Sequence, residues 1–108
     1  MSAESSRSEA GERVAVITGA AAGIGQALAE RLAGDGLRVA IADVAPAEET
    51  LELARAAGAE AFAAECDVAS GDSVANFAAA VHERFGRCDV LIANAGIYPM
   101  ASFDDYTW

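Results

Sequence analysis

Short apolar runs alternate along the chain with longer stretches of amphipathic spacing. Residues 14–18, VAVIT, are β-branched and almost wholly apolar, the pattern of a strand buried on both faces, as in a parallel sheet. Residues 24–33 have helical spacing, with Ile24, Leu28 and Leu32 on one stripe and Gly34 and Gly36 placed to stop it. RVAIAD, residues 38–43, predicts a second buried strand. Pro46 followed by Glu48 and Glu49 predicts a helix start: proline suits the first turn, and carboxylates suit the positive end of the helix dipole. That helix is expected to run to about Ala57, with Gly58 ending it. AEAFAAEC, residues 59–66, predicts a third strand, alanine-rich and so the weakest in β-propensity. Ser70 has the chemistry of an N-cap for the next helix, whose stripe is Val74, Phe77, Ala78, Val81 and Phe85 and whose end is Gly86. DVLIANAG, residues 89–96, predicts a fourth strand leading into a turn. After Pro99 the signal fades, although Ser102 with Asp104 and Asp105 has the form of another helix start.

The predicted order is β-α-β-α-β-α-β. Such alternation implies parallel strands joined by right-handed helical crossovers, an α/β sheet wrapped by helices. The 108 residues suit one domain, with no internal repeat and no interior linker. Residues 1–12 are polar and expected to be a flexible tail, leaving residues 13–108 for the folded unit. Ligands on such sheets sit outside the carboxyl ends of the strands. Residues 19–25, Asp43, Asp67 and residues 94–96 all follow predicted strand ends, so the topology gathers them on one rim.

Composition narrows the partners. Hydrophobic residues make up 54% of the chain, enough for an ordinary core, and the net charge is −10 from 17 acidic and 7 basic residues. An acidic surface repels nucleic acid and anionic membranes, which removes both as expected partners. No apolar run approaches a membrane span, and the N-terminal stretch lacks the apolar segment of a signal peptide. Cys66 and Cys88 lie too far apart for a CxxC motif, and His82 is the only histidine, so no zinc pattern exists and no metal site is expected. The two cysteines read as reduced, buried packing thiols of a cytoplasmic protein. His82 and the run Glu48, Glu49 and Glu52 are expected on solvated helix faces. Tyr98 could edge a pocket or simply pack.

The glycines carry the chemistry. Gly19, Gly23 and Gly25 stand between the first strand and the first helix. A helix N-terminus presents unpaired N–H groups and a positive dipole end, and it binds phosphate where the chain can come close. Glycine allows positive φ and removes the Cβ that would block approach. The loop therefore reads as a pyrophosphate cradle; the competing reading is a tight turn with no ligand, which needs fewer glycines. A P-loop would require Gly-Lys-Ser/Thr, and the chain contains no lysine. The GxGxxG fingerprint fails as well, because its last position falls on Leu28.

The spacing is instead Gly-x-x-x-Gly-x-Gly preceded by Thr18, and TGAAAGIG resembles the TGxxxGIG loop of the classical short-chain dehydrogenases/reductases. CDV at residues 66–68 and NAG at residues 94–96 resemble two further motifs of that family, in the same order and spacing. The resemblance implies a Rossmann-type doubly wound sheet. It assigns the cofactor pyrophosphate to Gly19, Gly23, Ile24 and Gly25, and the adenine to Asp67 with the backbone of Val68. It places Asn94, Ala95 and Gly96 along the adenosine ribose, steadying the central sheet. The family usually has a second asparagine before the NAG asparagine; here that position is Ala93. Asp43, at the end of the second strand, is expected to accept hydrogen bonds from both ribose hydroxyls and to repel a 2′-phosphate. Relatives that prefer NADP usually carry a basic residue just before the middle glycine or just after the second strand, and this chain has Ala22 and Val44-Ala45-Pro46 there. Both signals favour NAD. The competing reading makes Asp43 a solvated loop acid.

In that family the chemistry needs a tyrosine with a lysine four residues later, assisted by a serine and an asparagine. The tyrosine moves a proton while hydride passes to or from the nicotinamide, and the lysine lowers the tyrosine pKa. Ser102 lies four residues beyond Tyr98, and Tyr106 is followed only by Thr107 and Trp108. No catalytic residue is therefore assigned. The expectation is the cofactor-binding N-terminal portion of an oxidoreductase interconverting a secondary alcohol and a ketone, cut short after its fourth strand and inactive alone. The intact parent is expected to take a small-molecule substrate and to be a homo-oligomer. Two alternatives stay open: a stand-alone NAD-binding module such as a redox sensor, and a truncated product without function.

Overall fold

The computed structural model describes residues 13–94. The expected polar tail, Ala95, Gly96, Tyr98 and the helix start at Ser102 lie outside the described residues. Four strands, β1 (Val14–Thr18), β2 (Arg38–Asp43), β3 (Ala61–Glu65) and β4 (Val90–Ala93), alternate with three helices, α1 (Gly23–Gly34), α2 (Glu48–Ala56) and α3 (Gly71–Phe85). All pairings are parallel and the sheet order is β3-β2-β1-β4. The chain winds outward from β1 through β2 to β3, then crosses back to place β4 on the other side of β1. This reversal is the Rossmann-type switch point, and the crevice that it opens lies between the carboxyl ends of β1 and β4.

The period-two alternation of the central strands feeds two separate cores. Val14 and Val16 of β1 and Ala40 and Ala42 of β2 face α3, where they pack with Phe62, Cys66, Phe77 and Val81. Ile17, Val39 and Ile41 face the opposite way, against Ala29 and Ala33 of α1 and Ala54 of α2. Because each strand is buried on both faces, its sequence reads as a continuous apolar run. Ile17 and Ile41 have no exposed surface, and full burial of such a side chain stabilises by about 1.5–3 kcal/mol. At the outer edge, Phe62 packs against Phe77 and Phe85 with ring centroids 6.2 and 5.3 Å away.

Several expectations need correction. On α1 the buried stripe is Gly25, Ala29 and Ala33, while Ile24 is 73% exposed. Small residues let the helix axis come close to the sheet, so its contact face is the small-residue face and the larger side chains flank it. α2 starts at Glu48 with Ala47 as N-cap, so Pro46 precedes the helix; the intervening turn is held by the Asp43 carboxylate, whose Oδ1 accepts from Ala45 N at 2.9 Å. β3 begins at Ala61, two residues late, because Ala59 N still donates to Ala54 O in closing α2. On α3 the Ser70 hydroxyl caps as expected, accepting from Ser73 N at 3.2 Å, and Gly86 ends the helix at φ 76°. Phe77 and Val81 are buried, but Val74 and Ala78 are exposed. They line an open groove with Val16 of β1 and Leu91 and Ala93 of β4. Cys66 is buried as expected; Cys88, just ahead of the edge strand β4, is exposed. Among the described residues no helix is long and apolar enough to cross a membrane, and no cluster of metal-ligating side chains exists.

Candidate functional site

The rim at the carboxyl end of the sheet is built around residues 19–25. Gly19 leaves β1 at φ 69° and donates to Ala42 O at 2.8 Å, carrying the ladder one bond beyond the strand. Gly23 opens α1 at φ 64°, and a Cβ placed on it would meet nothing within 4 Å. Both positions favour glycine for its left-handed conformation. Gly25 is different. A Cβ there would overlap the Gly19 carbonyl oxygen and lie 2.6 Å from Asn94 Nδ2 and 2.9 Å from Ala20 Cα. The third glycine is therefore required by the chain itself, which folds its loop onto the helix. The sequence alone gives these glycines positive φ and room for a ligand to approach, and does not foresee this contact within the chain.

The N-terminus of α1 is left open to an anion. Its N-cap, Ala22, makes no side-chain bond and its first turn holds no acid. By contrast α2 carries Glu48 and Glu49 in its first turn, and α3 carries both the Ser70 cap and Asp72. Among these three helices only α1 presents its orphan N–H groups and positive dipole end with neither form of compensation.

The ends of β2 and β4 contact this loop, and the end of β3 lies farther along the same rim. Asn94, following β4, donates from Nδ2 to Gly19 O at 3.1 Å, bracing the crevice at the switch point. Asp43, at the end of β2, is half-buried, and its Oδ2 accepts from Ala21 N at 2.9 Å. With Oδ1 engaged by Ala45 N, the carboxylate keeps about two of its four lone-pair sites for a ligand. The groove beside it holds about 260 Å³ and is lined by Asp43, Glu48 and Glu65, with no basic residue. Asp67 and Val68 stand exposed in the turn after β3. Asp67 is fixed there by its N–H donating to Ser73 Oγ at 2.8 Å and its Oδ1 accepting from Ala69 N at 2.9 Å. Ile24 projects into solvent at the loop exit. Ala95 and Gly96 lie outside the described residues. Thr50 and Gln26, which also touch the loop, were missed in the sequence; Thr50 could have been found as the polar member of the α2 stripe that continues at Ala54.

A profile of the family described as short chain dehydrogenase matches residues 13–108. Cis-4-hydroxycyclohexanecarboxylate dehydrogenase of Sinomonas cyclohexanicum is 45% identical over 102 residues, a match that covers 90% of this chain and 41% of that protein. The crystal structure of a hydroxysteroid dehydrogenase from Escherichia coli superposes with a TM-score of 0.79 at 31% identity, covering 93% of this chain and 43% of that one. A metagenomic short-chain oxidoreductase solved in complex with NADP superposes with a TM-score of 0.70 at 42% identity, covering 80% and 40%. The chain thus spans about two-fifths of the length of these relatives. With matching motifs, strand order and family profile, the chain belongs to the short-chain dehydrogenase/reductase family of oxidoreductases.

Proposed function

We propose that residues 13–108 form the N-terminal part of a dinucleotide-binding domain, and that the cofactor is NAD rather than NADP. The observation that carries this reading is the open N-terminus of α1 beside a carboxylate, Asp43, in a groove without basic residues. In this reading Gly19, Gly23, Ile24 and Gly25 hold the pyrophosphate. Asp43 accepts from the adenosine ribose, Asp67 and Val68 flank the adenine, and Asn94, Ala95 and Gly96 form the wall along the ribose. A bound nicotinamide would accept hydride from a carbinol carbon or donate it to a carbonyl carbon, so that the whole protein would interconvert a secondary alcohol and a ketone. With no lysine in the chain, the tyrosine–lysine pair that would move the proton falls outside these residues, and the chain alone is inactive. A reducing, cytoplasmic setting suits the exposed Cys88 thiol.

The solved relative bound to NADP names the competitor for the test. A 2′-phosphate carries about 1.5–2 negative charges. At 4 Å from a carboxylate, each unit pair costs about 1 kcal/mol in water and about 4 kcal/mol at an effective dielectric constant near 20. Calorimetric titration with the two cofactors should show NAD binding roughly tenfold or more tightly, and Asp43→Ala should narrow that ratio. Because Asp43 also holds Ala21 N, the substitution weakens both cofactors by loosening the loop; only the ratio reports the ribose reading. Equal or tighter binding of NADP to the unmutated chain would remove Asp43 from this role.

A further inference from the structure

Thr50 lies on α2, outside every motif of the loop, yet it has no exposed surface. Its hydroxyl donates to Ala20 O at 2.6 Å and accepts from Gln26 Nε2 at 3.0 Å. The same Gln26 amide lies 3.3 Å from Ala21 O, to which it also donates. One buried hydroxyl thus joins three pieces of chain: the start of the glycine loop, the second turn of α1, and the first turn of α2. Ala20 is itself fully buried, so its carbonyl cannot turn to water for a partner, and an unmade bond there would bear the full desolvation cost. On the other side of the loop Asp43 holds Ala21 N. The Ala20–Ala21 peptide region is therefore fixed from the α2 side by Thr50 and from the β2 side by Asp43, immediately before the N–H groups of α1.

We propose that Thr50 is a positioning residue for the cofactor: its hydroxyl, through Ala20 O and Gln26, sets the conformation in which residues 19–25 meet the pyrophosphate. The proposal rests on the dinucleotide-binding reading above. It assigns Thr50 no contact with the cofactor. A loop held ready before binding loses less freedom on binding, so freeing it lowers affinity without removing any contact.

The test combines NAD titration with amide hydrogen exchange of the ligand-free chain. Thr50→Val keeps the shape and removes the hydroxyl; Thr50→Ser restores it. Ala54→Gly, on the same buried face of α2 but away from the loop, lowers stability without touching the node. Thr50→Val should weaken NAD binding by about tenfold or more and raise exchange in residues 19–25 above that in β1 and β2. Thr50→Ser should return both toward the unmutated values, and Ala54→Gly should change neither selectively. Unchanged loop exchange in Thr50→Val, or equal losses of affinity in Thr50→Val and Ala54→Gly, overturns the proposal. If Thr50→Val does not fold, Gln26→Met removes one arm of the node from a half-buried position and should give the same changes at smaller size; no change there overturns it equally. If the unmutated chain fails to bind NAD, the dinucleotide reading is what fails, and the loop exchange alone decides whether Thr50 sets the loop.

Discussion

Gly25→Ala adds a single methyl group at the most crowded point of the site. The new Cβ would overlap Gly19 O and sit 2.6 Å from Asn94 Nδ2 and 2.9 Å from Ala20 Cα. Two of these three neighbours are backbone, so relief requires the loop to move. Overpacking of this kind costs about 1–3 kcal/mol. Displacing Asn94 from Gly19 O forfeits a hydrogen bond contributing about 0.5–1.5 kcal/mol. Against this, alanine gains about 0.8–1.0 kcal/mol over glycine inside a helix. The net expectation is a loss of about 0.5–4 kcal/mol. Gly34→Ala, in the same helix with nothing within 4 Å of the added Cβ, should instead be neutral or stabilising by up to about 1 kcal/mol. Thermal unfolding separates the two, since 1 kcal/mol moves Tm by about 4–8 °C in a domain of this size. If Gly25→Ala melts with or above Gly34→Ala, the close packing of loop on helix is not what demands glycine at position 25.

Gly23→Ala should lose about 1–2 kcal/mol from its left-handed φ alone, a smaller and sterically different effect that a urea melt would detect. Ser70→Ala removes the only hydroxyl cap seen on the three helices and should cost about 1 kcal/mol in the same assay. The Arg87 guanidinium, and then the Val14 N–H, hold the Asp89 carboxyl below its ordinary value of 3.8. A depressed carboxylate stabilises the fold in full above its unfolded pKa and loses that contribution as pH falls from about 3.8 through the lower folded value; Asp89→Asn should therefore flatten the decline of Tm in that acid window, and an unchanged slope would contradict the assignment. Leu91 is 66% exposed on the edge strand, beside an apolar groove of about 370 Å³ that Val74 and Ala78 also line. Exposed apolar edges template association, so the chain should self-associate on size-exclusion chromatography, and Leu91→Glu should shift it toward monomer.

The sequence revealed element order and strand faces because burial on both sides leaves an unbroken apolar run, as in VAVIT and RVAIAD. The Ser70 cap was visible for a local reason as well: its partner, Ser73 N, is three residues away. Hydrophobicity ranks Ile24 and Leu28 above Ala29 and Ala33, whereas the approach of helix to sheet selects small side chains for the buried stripe of α1. Gly25 and Thr50 were illegible as to cause. Their neighbours, Asn94 and Ala20, are 69 and 30 residues distant along the chain, and only the parallel topology brings them together. Val74 and Ala78 likewise line an open groove beside β4, a placement that no periodicity within α3 encodes.

In the proposed function, the open N-terminus of α1 and the rim around it receive a dinucleotide. Mapping amide chemical-shift changes across the chain during an NAD titration tests it most directly. Saturable changes are expected in residues 19–25 and at Asp43, Asp67 and Val68, with the amino ends of the strands near Asp89 unmoved. Saturable changes centred on the groove at Leu91 and Val74, or no saturable change at residues 19–25, would contradict it.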